Sequence, residues 1–408
     1  MAIIVQKFGG SSVADAECVK NVARLAIAEH EKGKQVVVVV SAMGKTTDNL
    51  LNLARQITDV PDPREIDMLI STGEQISIAM LAIAIQSMGV PARSFTGPQV
   101  GIITDNAHRK AKIVRINDEK IRRELNKGEI VIVAGFQGTT LDNEVTTLGR
   151  GGSDTTAIAL AAVLEAEVCD IYTDVDGVYT ADPRIVPNAR KLKRITYDEM
   201  LELASLGAKV LHSRSVEIGK NYNVPIHVRS SFDNIPGTMV VKEIKEMEDI
   251  VVSGVAYNRN EAKISLLGVP DKPGVAASLF GTLGERNIVV DMIIQNVGAD
   301  ELNDITFTVS KDDLDEALIV AEAAAKELGA KNVVHDRSIA KVSVVGVGMK
   351  SHSGVAATMF RALAKNKINI GMISTSEIKI SCVIKETDVD RAVQAIHKEF
   401  ELAEIQHE

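Results

Sequence analysis

Tryptophan is absent from this 408-residue chain, and aromatic residues make up only 3% of it. A core without large rings must be filled by Val, Ile, Leu, Ala and Met, which suits α/β layers built on Val/Ile-rich parallel strands. Cysteine is scarce: Cys18, Cys169 and Cys382 stand far apart and form no CxxC pair. That pattern supports neither a disulfide framework nor a zinc site, so no protein-held metal is expected, and reduced thiols in a cytoplasmic protein are. Positive charge is not in excess either. The formal charge of −9 argues against a nucleic-acid partner, because neutralising phosphates takes basic patches. A local basic pocket for a nucleotide remains compatible with it. The N-terminal residues Met1 to Lys7 show no charged leader followed by a long apolar segment. No apolar run approaches the roughly 20 residues that cross a bilayer, so no membrane partner is expected.

What is present is ordinary globular composition, 45% hydrophobic and 25% charged, in a chain long enough for about two to four domains. Strand-like and helix-like segments alternate along the first part. Ile3–Phe8 ends in Gly9-Gly10 and leads into helical spacing from about Asp15 to Lys32. The valines from Val36 to Val40 form a buried strand and are followed by a helix around Leu50–Gln56. Further strands are expected at Ala92–Phe95, Ile130–Phe136, Val168–Tyr172 and Ile226–Val228, with helices at Gln75–Ser87, Thr155–Leu164 and Tyr197–Ala204. This order predicts an α/β fold: an open, mainly parallel sheet sandwiched by helices, with ligands at the carboxyl ends of the strands. The charged stretch Lys242–Asp249 reads as a linker.

Beyond the linker an internal repeat appears. Gly274-Val-Ala-Ala-Ser-Leu-Phe280 matches Gly354-Val-Ala-Ala-Thr-Met-Phe360. The same spacing pairs Ile288 with Ile368, Met292 with Met372 and Ile293 with Ile373, and the strands Ile264–Val269 and Val342–Val347 correspond with a small shift. Three segments result: a domain over 1–245 and two α+β units over 262–338 and 339–408.

Three constellations carry chemistry. Lys7-Phe-Gly-Gly-Ser-Ser12 lies between a strand and a helix. Its glycines let backbone amides approach an anion, the helix N-terminus favours phosphate, and Lys7 supplies a point charge. A plain strand-to-helix turn would look similar, and no Walker GxxxxGK(S/T) sequence is present. In Leu148-Gly-Arg-Gly-Gly-Ser-Asp154, Arg150 has the fork to clamp a carboxylate. Gly151 and Gly152 bring amides to a ligand, Ser153 or Asp154 caps the next helix, and Asp154 can instead orient Lys7 or a metal ion. In the segment Tyr172–Arg184, Thr173 and Asp174 end a strand, and the turn at Asp182-Pro183-Arg184 aims Arg184 at phosphates. A calcium loop is rejected there, because no Glu stands twelfth from Asp174. Around these, Ser41 and Thr47 are candidate carboxylate binders and Lys209 a candidate phosphate contact. Glu74 is a candidate for holding an ammonium group, although a first-turn carboxylate is equally explained by the helix dipole.

With these residues in the same order, the chain resembles the aspartokinases of the amino-acid kinase superfamily. KFGGSS combined with LGRGGSD is the specific part of the likeness, and the repeated units resemble ACT domains, small βαββαβ modules that bind amino acids. The resemblance implies an ATP-dependent kinase of the side-chain carboxylate of L-aspartate, feeding lysine, threonine and methionine (diaminopimelate) biosynthesis. It implies that Ser41, Thr47, Glu74, Arg150, Gly151, Gly152 and Ser153 hold aspartate. Lys7, Phe8, Gly9, Gly10, Ser11, Thr173, Asp174, Tyr179, Asp182, Arg184 and Lys209 would meet ATP. Lys7 and Asp154 would be catalytic, with Mg²⁺ bridging ATP phosphates.

For the repeats, the resemblance implies feedback by lysine and/or threonine. Asp271, Gly274, Ala276, Asp291, Gln295 and Asn296 would hold an effector in the first unit, and Asn369, Ile370, Ser376 and Glu377 in the second. Asp291 corresponds to Gly371, so the two sites are expected to differ. A homo-oligomer through the ACT domains is expected, as is a shorter regulatory subunit starting near Met247. The alternatives are another kinase of the superfamily or a non-catalytic amino-acid sensor.

Overall fold

The computed structural model describes residues 1–206, 210–233, 235–244, 251–297, 302–350 and 352–403. Lys209 and Met247 lie outside the described residues. The chain divides into two compact units, Met1–Tyr179 with Lys191–Met247, and Thr180–Arg190 with Glu248–Glu408. The contacts therefore depart from a single cut near 245: the segment Thr180–Arg190 packs with the second unit.

The first unit runs β1 (Ile3–Phe8), α1 (Ala16–Glu31), β2 (Gln35–Val40), α2 (Thr46–Arg55), α3 (Pro63–Ile70), α4 (Thr72–Ser87) and β3 (Ala92–Phe95). It continues β4 (Ile102–Thr104), β5 (Ile113–Ile116), α5 (Glu119–Leu125), β6 (Ile130–Ala134), β7 (Gln137–Thr139), β8 (Val145–Thr147), α6 (Gly152–Val163) and β9 (Val168–Thr173). It ends β10 (Arg194–Thr196), α7 (Tyr197–Ser205), α8 (Ser213–Tyr222), β11 (Ile226–Ser230) and β12 (Thr238–Val241). The main sheet has the order β10-β12-β11-β9-β1-β2-β6-β3. All its pairings are parallel except β11 with β12.

The five valines of β2 show why the sheet is covered on both faces. Val36, Val38 and Val40 pack with Val22, Ala26, Leu81 and Ile85 of α1 and α4. Val37 and Val39 point the other way and are equally buried, on the side where α6 meets β1, β2 and β9. Full burial of such a side chain is worth roughly 1.5–3 kcal/mol, so the strand has no polar face to expose. The stretch Pro63–Ser87 has the length and hydropathy of a membrane span, but 56% of its most apolar 18-residue window is buried, and α3 and α4 are separate helices meeting at Ser71. A second sheet, β5-β4-β7-β8, was not foreseen; its strands of three or four residues are too short for alternation to show.

The second unit contains β13 (Gly254–Pro270), α9 (Val275–Glu285), β14 (Val290–Val297), β15 (Leu302–Val309), α10 (Leu314–Leu328) and β16 (Asn332–Val345). Then follow α11 (Val355–Lys365), β17 (Met372–Thr375), β18 (Lys379–Lys385) and α12 (Val389–Glu399). One six-stranded sheet, β14-β15-β13-β16-β18-β17, joins them. The repeat is real in three dimensions. Gly274 and Gly354 both take a left-handed conformation, φ 96° and 95°, at the start of α9 and α11. Met292 and Met372 meet in one apolar cluster with Ile339 and Val383.

The modules share their longest strands. The early part of β13, Gly254–Asn258, pairs with Lys341–Val345, while its later part pairs with Asn332–Asp336. The second module thus takes its last strand from residues that precede the first module. Cuts at 262–338 and 339–408 leave that strand out, because sequence order does not reveal an exchanged strand.

Candidate active site

The carboxyl ends of β1, β2 and β9 bring the glycine loop, the Ser41 turn and Thr173 together. Phe8 stacks on Tyr172 with ring centroids 4.4 Å apart, and Gly9 N donates to Tyr172 O at 3.4 Å. Ser41 N donates to Phe8 O at 3.1 Å, and Gly44 N to Gly10 O at 3.0 Å. These loops leave no room for a side chain between them: a Cβ on Gly10 would stand 2.8 Å from Ala42 O.

At the centre Lys7 Nζ lies 2.7 Å from Asp154 Oδ1, with both side chains nearly buried. Lys7 is the penultimate residue of β1, and Asp154 sits in the first turn of α6. This differs from the expected cap. The helix begins at Gly152, with Gly151 before it at φ 68°, so Asp154 is inside the helix. Its carboxylate faces Lys7, and Ser153 accepts from Ser41 Oγ at 2.9 Å. Gly151 has a second reason to be glycine: a Cβ there would fall 2.3 Å from His212 Cβ. His212 packs on this turn, and its Nδ1 is buried without a hydrogen-bond partner among the described residues.

Glu74 is 3% exposed in the first turn of α4. Its Oε1 accepts from Ala42 N at 3.1 Å, while Oε2 is buried with no hydrogen-bond partner among the described residues. Burial pushes its pKa up to about 7, against the lowering by hydrogen bonds from the backbone of Glu74 and Ala42. A dipole partner at a helix start is normally solvated, so burial turns this carboxylate into a candidate receptor for a cation. Arg150 is exposed and pairs with no carboxylate among the described residues. Thr47 is half-buried in the first turn of α2, and Ser11 is exposed beside the glycine loop.

On the nucleotide side, Thr173 Oγ1 donates to Asp174 at 3.0 Å, and Tyr179 OH donates to Asp176 at 2.8 Å. Asp182 and Arg184 belong to the segment grouped with the second unit. There Arg184, whose side chain is 85% exposed, pairs with Asp182 at 2.7 Å, and Tyr257 OH donates to Asp182 at 2.9 Å.

Sequence reasoning also missed Phe136. It follows β6 at φ 70°, a conformation that β-region sterics disfavour for any residue with a side chain and that gathers at functional sites. Its ring lies where a Cβ on Gly152 would clash. Only the preceding Gly135 hinted at a special turn.

In the second unit a cavity of about 110 Å³ is lined by Asp271, Gly274, Ala276, Gln295 and Asn303 among others. Asn303, which donates to Asp271 at 2.9 Å, was not anticipated. Asn296 does not line this cavity. Asp291 pairs with Lys341, so its carboxylate is already engaged by a cation of the protein. In the second module Asn369, Ser376 and Glu377 are exposed and Ile370 is half-buried.

The profile of the amino acid kinase family matches residues 2–230, and that of the ACT domain matches 264–324 and 342–400. The aspartate kinase of Pseudomonas putida is 55% identical over 403 residues, covering 98% of each chain. The aspartokinase of Mycolicibacterium smegmatis is 54% identical over 407 residues, covering 98% of this chain and 97% of that one. Escherichia coli aspartokinase III in complex with aspartate and ADP (R-state) superposes with a TM-score of 0.82 at 27% identity, covering 97% of this chain and 99% of that one. Its complex with lysine and aspartate (T-state) gives 0.74 at the same identity, covering 98% and 99%. An open parallel sheet, two glycine turns and a buried lysine–carboxylate pair thus define a phosphotransferase of the amino-acid kinase class. Within that class the chain belongs to the aspartokinases, ATP-using enzymes that carry paired ACT domains.

Proposed function

We propose that the enzyme transfers the γ-phosphoryl group of ATP to the β-carboxylate of L-aspartate, giving ADP and 4-phospho-L-aspartate, under feedback control by lysine and/or threonine. The observation that carries this reading is the combination of a buried, half-partnered Glu74 with an unpaired Arg150 beside the Lys7–Asp154 pair. An α-amino acid presents an ammonium and a carboxylate, and these two groups match Glu74 and Arg150. Ser41 and Thr47 add hydroxyls, and Ser153 and the Gly151-Gly152 turn close the other side.

A carboxylate oxygen attacks the γ-phosphorus while the bond to the β,γ-bridging oxygen breaks and ADP departs. The nucleophile is already ionised, so no general base is needed, and catalysis rests on positioning and charge stabilisation. Lys7 neutralises charge on the transferring group, and Asp154 holds Lys7 in place. The glycine loop, Thr173, Asp174 and Tyr179 receive the nucleotide. Asp182, Arg184 and Lys209 remain assigned to it by resemblance. Mg²⁺ supplies charge neutralisation on the phosphate oxygens, as in other phosphoryl transfers.

The cavity at Asp271, Gly274, Ala276 and Gln295 is the proposed effector site of the first module. The second module, with Asn369, Ile370, Ser376 and Glu377, is the unequal partner. We place the enzyme in the cytoplasm, in the lysine, threonine and methionine pathway, as a homo-oligomer joined through its ACT modules. A shorter regulatory chain beginning near Met247 would contain those modules alone.

The test is ADP release from Mg-ATP with L-aspartate, with L-glutamate as control, with and without lysine and threonine. Aspartate-dependent turnover that falls with an effector is expected. Equal turnover with glutamate would overturn the substrate, and indifference to both amino acids would overturn the regulation.

A further inference from the structure

Two residues outside the recognised motifs hold the strand that leads to Arg150. Asp67, on α3, is fully buried, and its carboxylate is saturated by two segments of chain, at His108-Arg109 and at Thr147. Thr147 Oγ1 donates to Oδ1 at 2.5 Å, and Thr147 N to Oδ2 at 3.1 Å. Arg109 N reaches Oδ2 at 2.9 Å, and His108 Nδ1 is 2.9 Å from the same oxygen. One residue further along, the chain is held by a second side chain. Arg214, on α8, donates from Nη1 to Leu148 O and from Nη2 to Ala111 O, both at 2.9 Å. The two held segments also bond to each other, Ala111 N to Thr147 O at 3.0 Å. Gly149 then passes so close to Arg109 that a Cβ would meet its carbonyl at 2.9 Å.

The chemistry is unusual for a fold-stabilising device. A buried carboxylate is tolerated only when its lone pairs are filled, and here they are filled almost wholly by the chain on either side of this loop. Arg214 sits half-buried and spends its fork on two carbonyls; Asp105 and Glu217 act on its charge from a distance but form no ion pair with it among the described residues. Keeping a guanidinium from water for neutral acceptors is costly unless the position of those acceptors matters.

We propose that Asp67 and Arg214 are positioning residues for aspartate: together they clamp Thr147 and Leu148 and thereby set where Arg150 presents its guanidinium to the substrate α-carboxylate. This rests on the reading of Arg150 as the carboxylate clamp. Neither residue touches substrate; both act through the two residues they hold. A displacement of the order of 1 Å at a substrate clamp is enough to cost one to two orders of magnitude, without any change in the chemistry of Lys7.

The test compares Arg214→Met, Arg214→Lys, Thr147→Val, Thr147→Ser and Asp67→Asn with the wild type, each alone and with Arg150→Ala. Loss of the clamp is expected to raise KM for aspartate about tenfold while KM for ATP and kcat move by about twofold or less, as when ground-state and transition-state binding are lost alike. Thr147→Ser, which keeps the hydroxyl, should restore most of what Thr147→Val loses, and Arg214→Lys, which cannot fork to two carbonyls, should behave like Arg214→Met. In the Arg150→Ala background the same changes should add little, because their route runs through Arg150. If Asp67→Asn fails to fold, the Thr147 and Arg214 pairs still decide the matter. Parallel rises in KM for aspartate and ATP, or full additivity with Arg150→Ala, would overturn the clamp alone. An unchanged KM for aspartate in Arg150→Ala itself would overturn the reading of Arg150, and the clamp with it.

Discussion

Each unit of the enzyme contains a buried lysine paired with a carboxylate, and the two pairs are almost the same length. Lys7 meets Asp154 at 2.7 Å with side chains 11% and 12% exposed; Lys341 meets Glu261 at 2.8 Å with side chains 4% and 5% exposed. What separates them is the next neighbour. Lys341 also pairs with Asp291, and Asn258 donates to Glu261 at 2.9 Å. Burial opposes its charge, yet Glu261 and Asp291 outweigh burial and hold its pKa above the ordinary value. Its donors are committed across β13, β14 and β16. Lys7 has one carboxylate and a glycine loop: a Cβ on Gly9 would be 3.5 Å from its Nζ, close to the backbone that would receive a phosphate. A buried ion pair therefore does not mark a catalytic site by itself. It does so when one side of the cation is left to small residues that admit a ligand.

The comparison breaks if the two lysines respond alike to substitution. Lys7→Met should lower kcat by about 10³-fold, the scale of removing a preorganised charge from a developing anion, as read by ADP release at saturating substrates. Lys341→Met should instead leave Glu261 buried and uncompensated, and destabilise the second unit by about 3–5 kcal/mol with kcat retained. Thermal unfolding measures this, and adding Glu261→Gln should recover most of the loss.

Glu74 sharpens the same point through pH. Its folded pKa is raised by burial to about 7 from 4.5, so its contribution to stability is present in full below 4.5 and is lost as pH rises through about 7. Glu74→Gln should therefore stabilise the protein at pH 8 by about 1–3 kcal/mol, by thermal melts, while weakening aspartate binding. In the wild type, KM for aspartate should rise on acidification below about pH 7, because the neutral acid no longer attracts an ammonium group; the Gln variant should lack that dependence. The smallest effect belongs to the effector cavity. Asp271→Ala should shift the half-inhibitory effector concentration about tenfold, the worth of one charge-assisted hydrogen bond, and leave uninhibited kcat unchanged.

Much was legible before any coordinates. The valines of β2 determined a strand buried on both faces, because only a covered parallel sheet accepts such a run. KFGGSS and LGRGGSD marked strand-to-helix turns that admit a ligand, and Gly274 and Gly354 marked equivalent helix starts, because local backbone chemistry needs no distant partner. Tertiary structure alone decided the rest. It set Asp154 against Lys7 and left one oxygen of Glu74 without a hydrogen-bond partner among the described residues. It used Asp291 to hold Lys341, folded Arg184 onto Asp182, and gave the second ACT module a strand from ahead of the first. It also brought Asp67 and Arg214 to adjacent residues of one loop. Each of these depends on which residues, tens to hundreds of positions apart, lose water together. A single sequence records the residue types but not the pairings, and it is the pairing that turns a buried charge into a fastener or a catalyst.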